Sequence, residues 1–107
     1  MNRGELWTVA GGVYAAKPRP ALIVQDDRFD RTDSVTVLPL TTTFDAPLLR
    51  VAVAATTASG LQRDSFVMID KITTVRRSNV TERVGRLTSR QMVDVERAAL
   101  AFLGLAG

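Results

Sequence analysis

Two missing side chains set the chemistry open to this 107-residue sequence, which contains no histidine and no cysteine. Without histidine there is no Ser-His-Asp hydrolase and no ribonuclease built on a histidine pair. Without cysteine there is no thiol nucleophile, thiolate metal site or disulfide framework. The groups that remain are Arg, Lys, Asp, Glu, Ser, Thr and Tyr. Arginine supplies twelve of the 14 basic residues, and Lys17 and Lys71 are the only lysines. A guanidinium fork suits phosphate better than an ammonium does, although GC-rich codon usage produces the same excess. Asp26, Asp27, Asp30 and Asp33 invite a metal reading. Their spacing does not fit a calcium loop, and Arg28 and Arg31 are interleaved among them, so turn capping and local ion pairing are expected. No metal and no cofactor is expected.

The elements that must position these groups are short strands. Leu6-Trp7-Thr8-Val9 reads as a strand running into the flexible Ala10-Gly11-Gly12. Pro20 to Gln25 is near-continuously apolar, as in a strand buried on both faces. Ser34 to Leu38 alternates and should reach a bulge or strand edge at Pro39, which has no N–H to donate. Arg50 to Ala54, Ser65 to Ile69, Ile72 to Val75 and Arg83 to Leu87 are further strands, at a spacing that suggests a small barrel or sandwich. The period then changes. Thr88 and Gln91 form a capping box, with Leu87 and Met92 placed as a hydrophobic staple. Met92, Val95, Ala99, Phe102 and Leu103 share one helical face, and Gly104 stops the helix. The expected fold is mainly β with one C-terminal helix, in a single domain over 1–107. No apolar run is long enough to span a membrane, and the N-terminus does not read as a signal peptide, so the cytoplasm is expected.

Several stretches together resemble the MazF/PemK/Kid endoribonuclease toxins of bacterial toxin–antitoxin pairs. They are Arg3-Gly4-Glu5-Leu6-Trp7, Arg19-Pro20-Ala21-Leu22-Ile23-Val24, Val37-Leu38-Pro39-Leu40-Thr41-Thr42 and Val84-Gly85-Arg86-Leu87-Thr88. Gly60-Leu61 with Asp64-Ser65 adds a weaker match. The resemblance implies an SH3-like β-barrel with a C-terminal helix, acting as a homodimer. It further implies metal-independent cleavage of single-stranded RNA (mRNA, tRNA or rRNA), and an antitoxin whose acidic, disordered tail covers the site. The catalytic pair it implies is Arg19 and Thr41.

Pro20 biases Arg19 to an extended backbone, as a phosphate clamp requires. A guanidinium titrating above ~12 moves protons poorly at neutral pH, so charge stabilisation is its expected role. Thr41 can donate one hydrogen bond to a phosphate oxygen, with Thr42 an RNA contact beside it. Both threonines read equally as ordinary strand or turn residues. In the loop from Gly11 to Pro18, which resembles a lid, Tyr14 could stack on a base and Lys17 could hold a flanking phosphate. Lys71 stands where relatives commonly carry Gln and is a candidate RNA contact. Asp70-Lys71 otherwise reads as a surface pair of little weight. Two other functions fit the fold: a non-catalytic poison like the gyrase-binding CcdB toxins, and a barrel that binds RNA uncut. The CcdB toxins act through a helix end containing Trp, whereas this chain ends Phe102-Leu103-Gly104-Leu105-Ala106-Gly107.

Overall fold

A computed structural model describes residues 1–11 and 15–105. Seven strands and one long helix follow in order: β1 (Glu5–Gly11), β2 (Ala15–Ile23), β3 (Ser34–Thr41), β4 (Arg50–Val53), β5 (Ser65–Met68), β6 (Thr73–Arg76), β7 (Val80–Arg86) and α1 (Ser89–Phe102). All pairings are antiparallel, in the order β4-β5-β3-β2-β1-β7, with β6 added to β3. The sheet is strongly branched but does not close on itself, so the expected barrel is an open one among the described residues.

Strand β3 is the hub. Val37 to Pro39 pair with β2, Ser34 to Val37 with β6, and Leu40 and Thr41 with β5. The expected break at Pro39 does not occur. Pro39 falls between the β6 and β5 stretches, so its missing N–H costs no bond along that edge. Strand β2 likewise begins at Ala15 rather than Pro20, and Pro20 lies opposite Thr8 within the ladder.

Two apolar clusters lie on the two faces of the bent sheet, because successive strand residues point to opposite sides. Leu6, Leu22, Leu38 and Leu40 share one face with Val53, Val67, Ile69, Leu87 and Val95 of the helix. Val9, Ala21, Ile23, Val35 and Val37 share the other with Val75 and Val80, and Trp7 packs against them. This double burial is why β2 reads as continuously apolar. The indole N–H of Trp7 donates to the Glu5 carboxylate at 3.0 Å, and Arg83 donates to it at 2.9 Å.

The helix begins as expected, with the Thr88 and Gln91 side chains capping each other's backbone. It ends with Leu105 N donating to Leu100 O at 2.9 Å and Gly104 N to Ala101 O at 3.2 Å. Gly104 takes φ +72, the left-handed geometry such a stop needs. Val95 is buried and Met92 and Ala99 pack on the core, but Phe102 and Leu103 are 43% and 49% exposed because the last turn overhangs it. No helix among the described residues is long and apolar enough to cross a membrane.

Candidate active site

Arg19 lies within β2, opposite Val9 of β1. On its other side the register with β3 runs Ile23–Val37, Leu22–Leu38 and Ala21–Pro39. Continued two residues past its last pair, this register would bring Arg19 level with Thr41. The ladder itself stops at Pro39 because β3 there turns towards β5, and Thr41 pairs with Phe66. Arg19 is exposed, and no carboxylate lies within ion-pair distance of it among the described residues. Its charge is therefore available to a ligand.

Thr41 is half-buried at the end of β3. Its hydroxyl oxygen accepts a hydrogen bond from Thr43 N at 3.1 Å, which fixes the turn and leaves the O–H proton free to donate. Beside the pair runs a shallow groove of about 340 Å³, lined by Pro20 and Thr42 on one side and by Gly60 to Arg63, Ser65 and Val84 on the other. Strand pleating directs Arg19 to the face opposite Pro20, so the groove is lined by Pro20 and Thr42 and not by Arg19 or Thr41.

Lys17 is exposed on β2, two residues before Arg19 and on the same side of the strand. Lys71 is exposed and lies beyond β5. It ends a 3-10 turn, Ile69–Lys71, reached only after β5 has run on from Phe66 through Met68. Tyr14 lies outside the described residues. Of the segment that resembles a lid, residues 15–18 belong to β2. Of the four aspartates, Asp26 caps the turn Asp27–Phe29 and pairs with Arg28 at 3.1 Å as expected, whereas Asp27 accepts from the distant Arg3 N at 2.7 Å.

The match to known proteins covers this whole arrangement. Residues 2–103 fit the family described as PemK-like, MazF-like toxin of type II toxin–antitoxin systems. The chain belongs to this family. The toxin is 58% identical over 109 residues, spanning all of both chains, to a probable endoribonuclease MazF of Mycolicibacterium smegmatis. It superposes with a TM-score of 0.84 on the Mycobacterium tuberculosis toxin MazF-mt6, at 25% identity, over 96% of this chain and 99% of that one. A mycobacterial endoribonuclease in complex with its cognate antitoxin gives a TM-score of 0.85 at 25% identity, covering 100% and 98%.

Three features of the toxin's site escaped the residue-by-residue reading. The first is Arg50, expected only as a strand residue. Its side chain is 5% exposed and bridges Asp45 at 3.1 Å and Asp70 at 2.6 Å. Burial pushes the Asp70 carboxyl up, but the hydrogen bond and charge of Arg50 hold it below its usual range. Asp70 is thus no casual surface partner of Lys71. It ties the turn after β5 to the loop that follows Thr41.

The second is the far wall of the groove. A Cβ on Gly60 (φ +69) would lie 1.9 Å from Val84 O, and one on Gly85 would lie 2.2 Å from Ser59 O. Only glycine permits this backbone-on-backbone contact. Arg86 N donates to Ala58 O at 3.0 Å, and the buried Ser59 hydroxyl donates to Ala54 O at 2.8 Å, so Gln62 and Arg63 stand on a fixed loop. Both glycines were visible only as matched letters. The third is an aromatic pair, Phe44 and Phe66, with ring centroids 4.9 Å apart and planes tilted by 39°. A phenylalanine inside the polar run Thr41 to Asp45 was the available signal.

Proposed function

We propose that this toxin is an endoribonuclease that cuts single-stranded RNA without a metal or other cofactor, using the substrate's own 2′-hydroxyl. The 2′-oxygen attacks the adjacent phosphorus, the bond to the 5′-oxygen breaks, and the products are a 2′,3′-cyclic phosphate and a 5′-OH. Such a reaction asks the protein for alignment and for stabilisation of charge on the phosphoryl oxygens. Arg19 supplies the charge through its two-pronged fork, and Thr41 donates one further hydrogen bond. Lys17 takes a flanking phosphate, Thr42 contacts the strand in the groove, and Tyr14 and Lys71 are further RNA contacts.

What supports this reading is an exposed guanidinium with no ion-pair partner among the described residues, on a strand whose neighbour β3 ends in a hydroxyl free to donate. The toxin domain, residues 1–107, acts in the cytoplasm as a homodimer whose subunits together form the RNA path. Its antitoxin is a MazE-like chain with an acidic, disordered tail that folds across the basic site.

The test is primer-extension mapping of cuts in total RNA by the purified toxin in EDTA, with Arg19→Ala as the control. Discrete cuts from wild type and none from the variant are expected. A 2′-deoxynucleotide at the mapped position should then abolish cutting. If that substrate is still cut, water is the nucleophile and the mechanism above is wrong.

A further inference from the structure

Thr41 has an aromatic neighbour that the ribonuclease chemistry leaves unused. Phe66 is its direct ladder partner, so the two side chains stand on one face of the sheet with Cβ atoms ~5 Å apart. The ring of Phe44, three residues beyond Thr41, lies against that of Phe66 at 4.9 Å and remains 56% exposed. A large apolar ring is ordinarily buried, and this one is held open to solvent from both ends of its turn. Before it, Thr43 N bonds the Thr41 hydroxyl at 3.1 Å. After it, the Asp45 carboxylate is clamped by the buried Arg50 at 3.1 Å.

We propose that Phe44, backed by Phe66, is a stacking platform for one base of the RNA strand next to the scissile linkage. The inference rests on the ribonuclease reading and deepens it. An unstacked base offers a flat apolar face joined to a charged sugar–phosphate, and the toxin offers a flat ring beside a hydroxyl and a guanidinium. The surroundings separate this ring from the other exposed aromatics. Phe29 lies 5.5 Å from the guanidinium of Arg28 near the opposite end of β3, and Phe102 lies at the end of α1. Neither adjoins Thr41. Because every base has a π-face, the platform adds grip and alignment without selecting a letter.

The experiment uses a short single-stranded RNA centred on the mapped cut, with an abasic ribonucleotide placed at each flanking position in turn. Single-turnover kcat/KM is measured for wild type, Phe44→Ala, Phe44→Leu and Phe44→Tyr, each checked for an unchanged melting curve and for dimer formation. Wild type should lose roughly ten-fold at one flanking position. Phe44→Ala and Phe44→Leu should be slower by a similar factor on intact RNA, with no further loss at that abasic position, while Phe44→Tyr retains the wild-type pattern. Additive losses, or wild-type rates from Phe44→Leu, overturn the platform. So does a Phe44→Ala variant that cuts normally but no longer dimerises, which assigns the ring to a protein interface. A wild-type toxin that cuts no RNA fails at the mapping step, which overturns the ribonuclease reading and the platform with it.

Discussion

Arg19 and Arg50 are the same side chain put to opposite uses. Arg50 is 5% exposed and bridges two carboxylates through its terminal nitrogens, one from the loop after Thr41 and one from the turn after β5, while its buried Nε has no hydrogen-bond partner among the described residues. Arg19 stands exposed on β2 with no carboxylate in range among the described residues. A charge already neutralised by the protein can hold elements together but has little left to offer a phosphate. A charge left open adds nothing to the fold and keeps its whole field for the ligand. Two guanidiniums, one on β2 and one at the start of β4, are thus left with opposite surroundings, and only the first is free to meet a ligand.

That division can be broken from either end. The largest effect on catalysis is expected from Arg19→Lys, which keeps the charge but loses the fork. Cleavage should fall by roughly 100-fold or more with the melting temperature unchanged. A variant that cuts at near wild-type rate would show that a point charge suffices. By contrast, Arg50→Met should destabilise by about 1–2 kcal/mol in urea unfolding, because it leaves the partly buried Asp70 without its counter-charge while the exposed Asp45 is rehydrated. Activity should fall less than in Arg19→Lys under conditions where the variant is folded. Loss of cleavage without loss of stability would make Arg50 catalytic and dissolve the contrast.

Smaller effects sharpen the picture. Thr41→Ala removes a single neutral hydrogen bond and should slow cutting about three- to ten-fold, with Thr41→Ser close to wild type. The smallest concerns acid stability and involves neither arginine. Burial pushes the Glu5 carboxyl up, but bonds from Asn2 N–H, Trp7 and Arg83 outweigh it and bring it from 4.5 down to about 2. A carboxyl lowered in the folded state adds stability above its unfolded value, and that stability is lost as the pH falls towards the folded one. The melting temperature should therefore decline between pH 4.5 and 2. Glu5→Gln should decline less steeply over that window, whereas an unchanged slope would remove Glu5 from the acid response.

Local signals were legible in the sequence and distant ones were not. The helix start rests on two residues three apart, Thr88 and Gln91, and it is where the pattern puts it. Phe102 and Leu103 share the buried face by period but overhang the core, since periodicity carries no knowledge of where the sheet ends. Pro39 looked like a strand terminus because a missing N–H argues for one. β3 passes through it because its partner changes there, which depends on strands up to 40 residues away. Arg19 and Thr41 stood out through resemblance, and the strands that carry them are neighbours through a register that no short window contains. Arg50, Asp45 and Asp70 converge from two separate connections, and no spacing rule announces them. Phe44 was passed over, although an aromatic among threonines is an anomaly, and its partner Phe66 only the folded chain reveals.

The hub position of β3 has a consequence for how such a molecule can be silenced. Three neighbours hold β3 along its length, so warping that strand would break hydrogen bonds to β2, β5 and β6 together. Covering its open end, where the ladder partner of Thr41 is Phe66 of β5, leaves those bonds intact. An inhibitor that covers is therefore expected to cost the fold less than one that deforms.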